Sequence, residues 1–417
     1  MKAKSDNKKI VLGFSGSLDS VVCAYLLKKQ GFEVIAIGIQ FHTAGQEHLP
    51  PKLDENGQPK TRSEFQGVYL IDDLDRVKKL ADALDITFYA AEASAAYQDR
   101  VTDGVVAARI GGELFSPKVH ATQLIFDVLI QKADVLQASF VATGHYAKVV
   151  RNKSAETINI FVSNDLEGDQ SYLLCTLARE VMERMYLPLS DMRISEVRKI
   201  AEGLKLGFSD KEPKIPLMQR PELGEFVGDR AAKKLFKEGT IIDYKNEAMM
   251  GDHGGIHEYG LGLNSIKVKS GTSIDKDLMV IGFKYTPGII FVGLKEDLGY
   301  DICILKNIKY APGMDLSCPQ EVFVKSTECG EKLAATFYPY NNGYAEISFK
   351  QKQEGLLFRG DHLAIYNRAG AMGKVLASGE VFTSGFMENG QLRTMPLKKD
   401  EREDEPMEIN DIYRFKF

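Results

Sequence analysis

Cysteine is scarce in this 417-residue chain: Cys23, Cys175, Cys303, Cys318 and Cys329 form neither a CxxC pair nor a zinc spacing. An odd, scattered set reads as reduced thiols, and a cytoplasmic location is expected. Long apolar runs are missing too, since none approaches the roughly 20 residues that cross a bilayer. The basic start MKAKSDNKK is followed by IVLGF, too short for a secretory core, so neither a leader nor a membrane partner is expected. Charge of one sign is also in short supply: 53 Lys and Arg against 58 Asp and Glu leave −5. That balance argues against a generic polyanion binder but leaves room for a local basic face. Residues 211–237 hold seven cations (Lys211, Lys214, Arg220, Arg230, Lys233, Lys234, Lys237) against four acids, which is either such a face or a solvated helix surface.

With 44% apolar and 27% charged residues, the chain can build real cores, and its length favours two or three domains. KKIVLGFSG is a buried-strand pattern, SVVCAYLLKKQGF has helical spacing, and EVIAIGIQF is a second strand. Residues 42–67 read as a long surface loop. DDLDRVKKLADALDI predicts a helix, ITFYAAE a strand, TQLIFDVLIQKADVLQ a helix and SFVATGHYAKVV a strand with a polar tip. This alternation predicts an α/β, doubly wound parallel-sheet domain over residues 1–208. Beyond it, PELGEFVGDRAAKKLFKEG suggests a helix. Short β runs (LMVIGFKY, IIFVGLK, KLAATFYP, YAEISFKQ, HLAIYNR, KVLASGEVF) then predict one or two small β domains before a charged tail.

The chemistry concentrates in GFSGSLDS, residues 13–20. A Walker-type loop would end in a lysine on the terminal phosphates, and that lysine is absent. Gly13, Phe14, Ser15, Gly16, Ser17, Leu18 and Ser20 offer backbone N–H groups and hydroxyls instead, and Asp19 could hold Mg²⁺. Such a loop at the end of a parallel strand and the start of a helix suits pyrophosphate as a leaving group. A purely structural glycine–serine turn is the alternative.

GFSGSLDS resembles the SGGxDS loop of the ATP-pyrophosphatase group. ATGHYAKV (142–149), GDQSYLLCTLAREVMERMYLPLSDMRISEVRKIAEGLKL (168–206) and GDHGGIHEYGLG (251–262) resemble successive landmarks of bacterial tRNA-specific 2-thiouridylases. The resemblance covers roughly residues 9–383. It implies three domains: the α/β unit, a small central domain (209–303) and a C-terminal β-barrel (304–384) that helps grip tRNA, with 385–417 left as a charged extension. It implies ATP as the cofactor, with Mg²⁺, and tRNA as the partner: ATP adenylates the wobble-uridine carbonyl oxygen, and a cysteine persulfide delivers sulfur. Position by position, it implies that residues 13–20 bind the nucleotide, with Ser17 where the family has glycine and Asp19 as the catalytic carboxylate. Ile39 falls where a backbone contact to adenine is expected. Gly144 and His145 would line the nucleotide and RNA side of the site, with a capping or core histidine as the alternative for His145, and Asp169, Gln170 and Ser171 would face the cleft at the start of a helix.

The pattern breaks at three points. SPKVHATQLIFD (116–127) aligns with the stretch around the family's first cysteine, which puts Lys118 at an aspartate and Ala121 at the cysteine. KEPKIPLMQRPELGEFV (211–227) puts Pro216 at the second cysteine. Asp361, in RGDHLAIY, stands where a glutamine touches RNA. Neither alanine nor proline can carry sulfur, so a sulfur-donor protein is a doubtful partner. Lys118 could bind phosphate or serve as an amine nucleophile if desolvated; otherwise it is a surface lysine. Three readings follow: an adenylating tRNA-modifying enzyme without the cysteine relay, a non-catalytic nucleotide- or RNA-binding paralogue, and an adenylating enzyme for a small molecule.

Overall fold

The structure is a computed structural model that describes residues 8–41, 74–152, 157–206, 223–228, 230–231, 236, 238–264, 266–284, 288–314, 316–326, 331–340, 342–355, 357–388 and 391–394. The surface-loop stretch 42–67, Pro216, Cys329, the charged tail after 394 and, apart from Arg230, the cations of 211–237 lie outside the described residues.

The first domain begins with β1 (Lys9–Gly13), α1 (Leu18–Lys29), β2 (Glu33–Gln40), α2 (Leu74–Ala83) and β3 (Thr87–Glu92). A short α3 (Ser94–Tyr97), a π-helical turn (Gln98–Thr102) and α4 (Asp103–Ile110) lead to the long α5 (Pro117–Val135) and β4 (Phe140–Ala142). The hairpin β5 (Lys148–Asn152) and β6 (Thr157–Phe161) follows. After it come α6 (Ser171–Leu174), α7 (Arg179–Arg184), β7 (Met185–Tyr186) and α8 (Ile194–Leu204).

The sheet order is β3-β2-β1-β4-β7, and every pairing is parallel. Alternation along the strands decides which helices cover which face. Ile10 and Leu12 of β1 with Val34 and Ala36 of β2 pack against α1, α2 and α8. Val11, Ile35, Ile37 and Ile39 point the other way, toward α5 and α7. The sheet is therefore doubly wound, and strand order reverses between β1 and β4, where open α/β sheets bind their ligands.

Two sequence expectations change in detail. SFVATGHYAKVV is not one strand: β4 ends at Ala142, Thr143–Ala147 form an irregular segment, and β5 belongs to a separate hairpin. The polar TGH stretch leaves the sheet because its groups are used at the strand's carboxyl end. The helix expected from TQLIF starts earlier, at Pro117, whose missing N–H costs nothing at a helix start. Lys118 and Ala121 are thus helical.

In the central region α9 (Leu223–Gly228) packs near β8 (Gly239–Asp243), β9 (Met249–His253), β10 (Leu278–Lys284) and β11 (Ile289–Leu294), which form a sheet in the order β10-β11-β8-β9. Arg109 of α4 is almost wholly buried against this region and donates to the carbonyls of His257 (2.9 Å) and Glu258 (3.1 Å). The C-terminal strands are β12 (Gly299–Tyr310), β13 (Gln320–Ser326), β14 (Leu333–Pro339), β15 (Ala345–Glu354), β16 (His362–Tyr366), β17 (Val375–Glu388) and β18 (Gln391–Thr394). The first six close an antiparallel barrel in the order β12-β15-β14-β13-β16-β17, sealed by β17 on β12, and β18 extends the outer edge. The barrel thus opens at Gly299, ahead of the boundary expected at 304, and strand structure continues past 384 to Thr394. Among the described residues no helix is long and apolar enough to cross a membrane.

Candidate active site

The 13–20 loop turns from the end of β1 into the start of α1. Phe14 donates its N–H to the Ile37 carbonyl (2.9 Å) and buries its ring, which anchors the turn. Gly16 has φ +73, and a side chain there would also meet Val77 Cγ2 at 2.9 Å; glycine is required twice over. Ser17 is the N-cap of α1, its hydroxyl accepting from the Ser20 N–H. Three hydroxyls gather here: Ser15 Oγ lies 3.0 Å from Ser17 Oγ and 3.4 Å from Ser20 Oγ. Hydroxyls, a left-handed glycine and a helix N-terminus form a cradle whose donors are of the kind that hold anions.

The segment after β4 closes on this cradle. Gly144 presses on the first turn of α1, where an added Cβ would stand 2.9 Å from Asp19 Cβ and 3.3 Å from the Ser20 nitrogen. Cys23 donates its thiol to the Thr143 carbonyl (3.4 Å), and the Tyr146 hydroxyl donates to Asp19 Oδ1 at 2.6 Å. Gln170 in turn grips Tyr146: its Oε1 accepts the Tyr146 N–H (3.1 Å) and its N–H donates to the Tyr146 carbonyl (2.8 Å). From the other side Arg76 of α2 donates to the Gly16 carbonyl (3.4 Å), which brings a guanidinium to the rim of the loop.

The structure therefore gathers residues 13–20, Gly144 and Gln170. Ile39 lies two positions past the Gly13–Ile37 pairing, toward the carboxyl end of β2, with its side chain in the core and its backbone paired in register with Ala91. His145 is buried, its Nδ1 2.8 Å from Thr143 Oγ1, and burial lowers its pKa to about 4, so its imidazole is neutral at pH 7.

Asp169 and Ser171 do not face an open cleft. Asp169 is buried and accepts from the N–H groups of Ser163 and Ser171 and from the Ser171 hydroxyl (3.1, 3.2 and 2.9 Å). Across the barrel seam it meets Lys332 Nζ at 3.6 Å, and the Ser171 hydroxyl reaches Tyr366 at 3.0 Å. A carboxylate needs such partners when it is buried, so this turn serves the junction between domains. Asp361 is likewise buried, its Oδ2 accepting from the Phe358 N–H (3.0 Å) in a barrel turn rather than presenting itself to a surface ligand. Lys118 is exposed on the first turn of α5, while Ala121 is fully buried in the core shared by that helix and the barrel.

Of the four described cysteines, Cys23, Cys175 and Cys303 are buried and Cys318 is exposed. Burial raises the pKa of all three enclosed thiols, that of Cys175 to about 12. Sequence reasoning missed Tyr146 and Arg76. Tyr146 lies inside the quoted ATGHYAKV and could have been read with Gly144 and His145. Arg76 follows a long loop and carries no local signal.

A doubly wound parallel sheet with a glycine–serine turn at its switch point defines the first domain as a Rossmann-like α/β unit. Residues 8–214 match the family described as "tRNA methyl transferase HUP domain", and most of the chain is similar to tRNA-specific 2-thiouridylases. It is 28% identical over 362 residues to the tRNA-specific 2-thiouridylase MnmA of Clostridium perfringens, covering 86% of this chain and 95% of that protein. The Clostridium beijerinckii protein of the same description is 27% identical over 363 residues, covering 86% and 96%. Among solved structures, the U34-tRNA thiolase NcsA from Methanococcus maripaludis is 19% identical with a TM-score of 0.31, covering 53% of this chain and 63% of that one.

Proposed function

We propose that this protein is an ATP-dependent tRNA-modifying enzyme that adenylates a base carbonyl, the wobble uridine's as the family resemblance implies, and does so without a cysteine persulfide relay. The observation that carries the reading is the cradle itself: three serine hydroxyls and the N-terminus of α1, with Asp19 held beside them by Tyr146. In the proposed step the carbonyl oxygen attacks the α-phosphorus of ATP, the bond to the β-phosphate breaks, and pyrophosphate leaves into the cradle. The base then carries AMP on its oxygen, a far better leaving group for an incoming nucleophile.

The donor set suits Mg²⁺, a hard cation that takes oxygen ligands: Asp19 and the pyrophosphate oxygens would hold it. Bound there, it would neutralise charge on the departing pyrophosphate. This chain's own residues bind and orient: Ser15, Ser17 and Ser20 donate to phosphate oxygens, Gly16 lets the backbone approach, and Arg76 adds positive charge at the rim. The family resemblance puts Ala121 and Pro216 at the cysteine positions, and the buried thiols, held protonated, are poor sulfur carriers.

Pyrophosphate release, measured with and without tRNA, tests the reading. Release that requires tRNA and Mg·ATP supports it. No release under either condition leaves a non-catalytic binding protein, and release driven by a metabolite without RNA identifies a small-molecule adenylating enzyme.

A further inference from the structure

Tyr146 directly follows His145 in the ATGHYAKV motif that brings Gly144 to the loop. Its ring is buried at 3% exposure and its hydroxyl donates to Asp19 Oδ1 at 2.6 Å, a length typical of a charge-assisted O–H···O⁻ bond. Both backbone hydrogen-bonding groups of Tyr146 are held by Gln170. Gly144 packs against Asp19, and Thr143 against Cys23 of the same helix. The segment is thus fastened to α1 at three places, and the phenol reaches the one carboxylate in the cradle from a fixed base.

A buried tyrosine placed only for packing needs no carboxylate partner of this kind at a ligand-binding turn. A cation at the pyrophosphate end, by contrast, needs a carboxylate whose rotation is already restricted, because ordering it on binding would cost affinity. We propose that Tyr146 is a positioning residue for the nucleotide: its hydroxyl orients the Asp19 carboxylate toward the cation on the pyrophosphate, and Gln170 holds it in place. This rests on the reading of the loop as a Mg·ATP site.

The test uses the full chain, calorimetry with Mg·ATP and with AMP, and the variants Tyr146→Phe, Gln170→Leu and Asp19→Ala. Tyr146→Phe keeps the ring and removes one donor to a charged group. Its Mg·ATP affinity should fall about tenfold while AMP affinity changes less than about twofold. The Mg²⁺ concentration for half-maximal ATP binding should rise. Gln170→Leu should act in the same direction more weakly, and it carries the comparison if Tyr146→Phe does not fold. In the Asp19→Ala background, Tyr146→Phe should have no further effect, because the group it orients is gone.

Unchanged Mg·ATP affinity in the folded variants, equal losses for Mg·ATP and AMP, or an undiminished effect without Asp19 would each overturn the positioning role while leaving the nucleotide site standing. Wild-type protein that binds no Mg·ATP would overturn the site reading, and this role with it.

Discussion

The Cys175 thiol, at the C-cap of α6, lies 3.3 Å from Nε2 of His362 on β16, so a cysteine–histidine contact bridges the α/β domain and the barrel. Two such residues can form a nucleophilic pair, but burial drives these in the opposite direction. The thiol is pushed up to about 12 and the imidazole down to about 3, leaving both neutral near pH 7. An activated thiol has a lowered pKa and access to solvent. The Cys175–His362 contact is a piece of interdomain packing.

It follows that sulfur should not pass through the buried thiols Cys23, Cys175 and Cys303. A variant with all five cysteines changed to Ser or Ala, shown to fold by circular dichroism, should retain the wild type's ATP-dependent activity. Persulfide trapping by mass spectrometry after incubation with a cysteine desulfurase should leave Cys175 unlabelled. Labelling of Cys175 together with loss of activity in Cys175→Ala would show that a relay has moved to it.

Gly144 and Asp19 should respond differently to substitution. Asp19→Ala is expected to weaken Mg·ATP binding far more than AMP binding, since the carboxylate belongs to the pyrophosphate end. Gly144→Ala drives a methyl group to 2.9 Å from Asp19 Cβ and 3.2 Å from its carbonyl carbon, against a helix that cannot retreat. It should cost about 1–3 kcal/mol of stability and displace the loop, weakening ATP and AMP together. Thermal melts and calorimetry on both variants check the contrast.

Acid should unfold the protein partly through its buried histidines. His145 and His362 have pKa values lowered from 6.5 to about 4 and about 3, so as pH falls the unfolded chain takes up their protons first. Their contribution to stability is complete above about pH 6.5 and is lost progressively toward pH 4 and 3. In urea titrations between pH 7 and 4.5, His362→Gln should flatten the slope of stability against pH by up to about one proton's worth. An unchanged slope would mean that His362 is already protonated in the folded state.

The seam between domains should depend on Asp169 and Lys332. The Asp169 side chain is fully enclosed, that of Lys332 is 8% exposed, and Lys332 Nζ also sits 4.7 Å from the Tyr366 ring centroid. Removing one partner of a buried pair costs about 3–5 kcal/mol, because the other charge is stranded. Asp169→Ala should be the more damaging change, since it also releases three hydrogen bonds. Lys332→Met leaves those bonds intact and should lower the melting temperature by less.

Much of the α/β domain was legible because its strands and helices announce themselves over short windows. KIVLG and EVIAIG are apolar on both sides because both faces of a parallel sheet are covered, and the turn between β1 and α1 is spelled out by glycine and serines. The β-rich character of the C-terminal half was legible for the same reason. What windows could not supply was partnership. The family resemblance placed Asp169 and Ser171 in the cleft, yet the barrel, far along the chain, covers them. Asp361 read as a surface contact by position, and it spends its carboxylate on the Phe358 N–H. Arg76 carried no signal at all, because its partner, Gly16, is distant in sequence.

The sequence by itself determined most element types, the parallel α/β core and the glycine–serine turn between β1 and α1, since these depend on local periodicity, capping and the conformations open to glycine. The tertiary structure alone decided which polar groups remain for a ligand. Tyr146 meets Asp19, and Lys332 meets Asp169, across separations no local pattern spans. A buried polar group must find its partner wherever the fold brings one, and that search is settled by packing, not by neighbours along the chain.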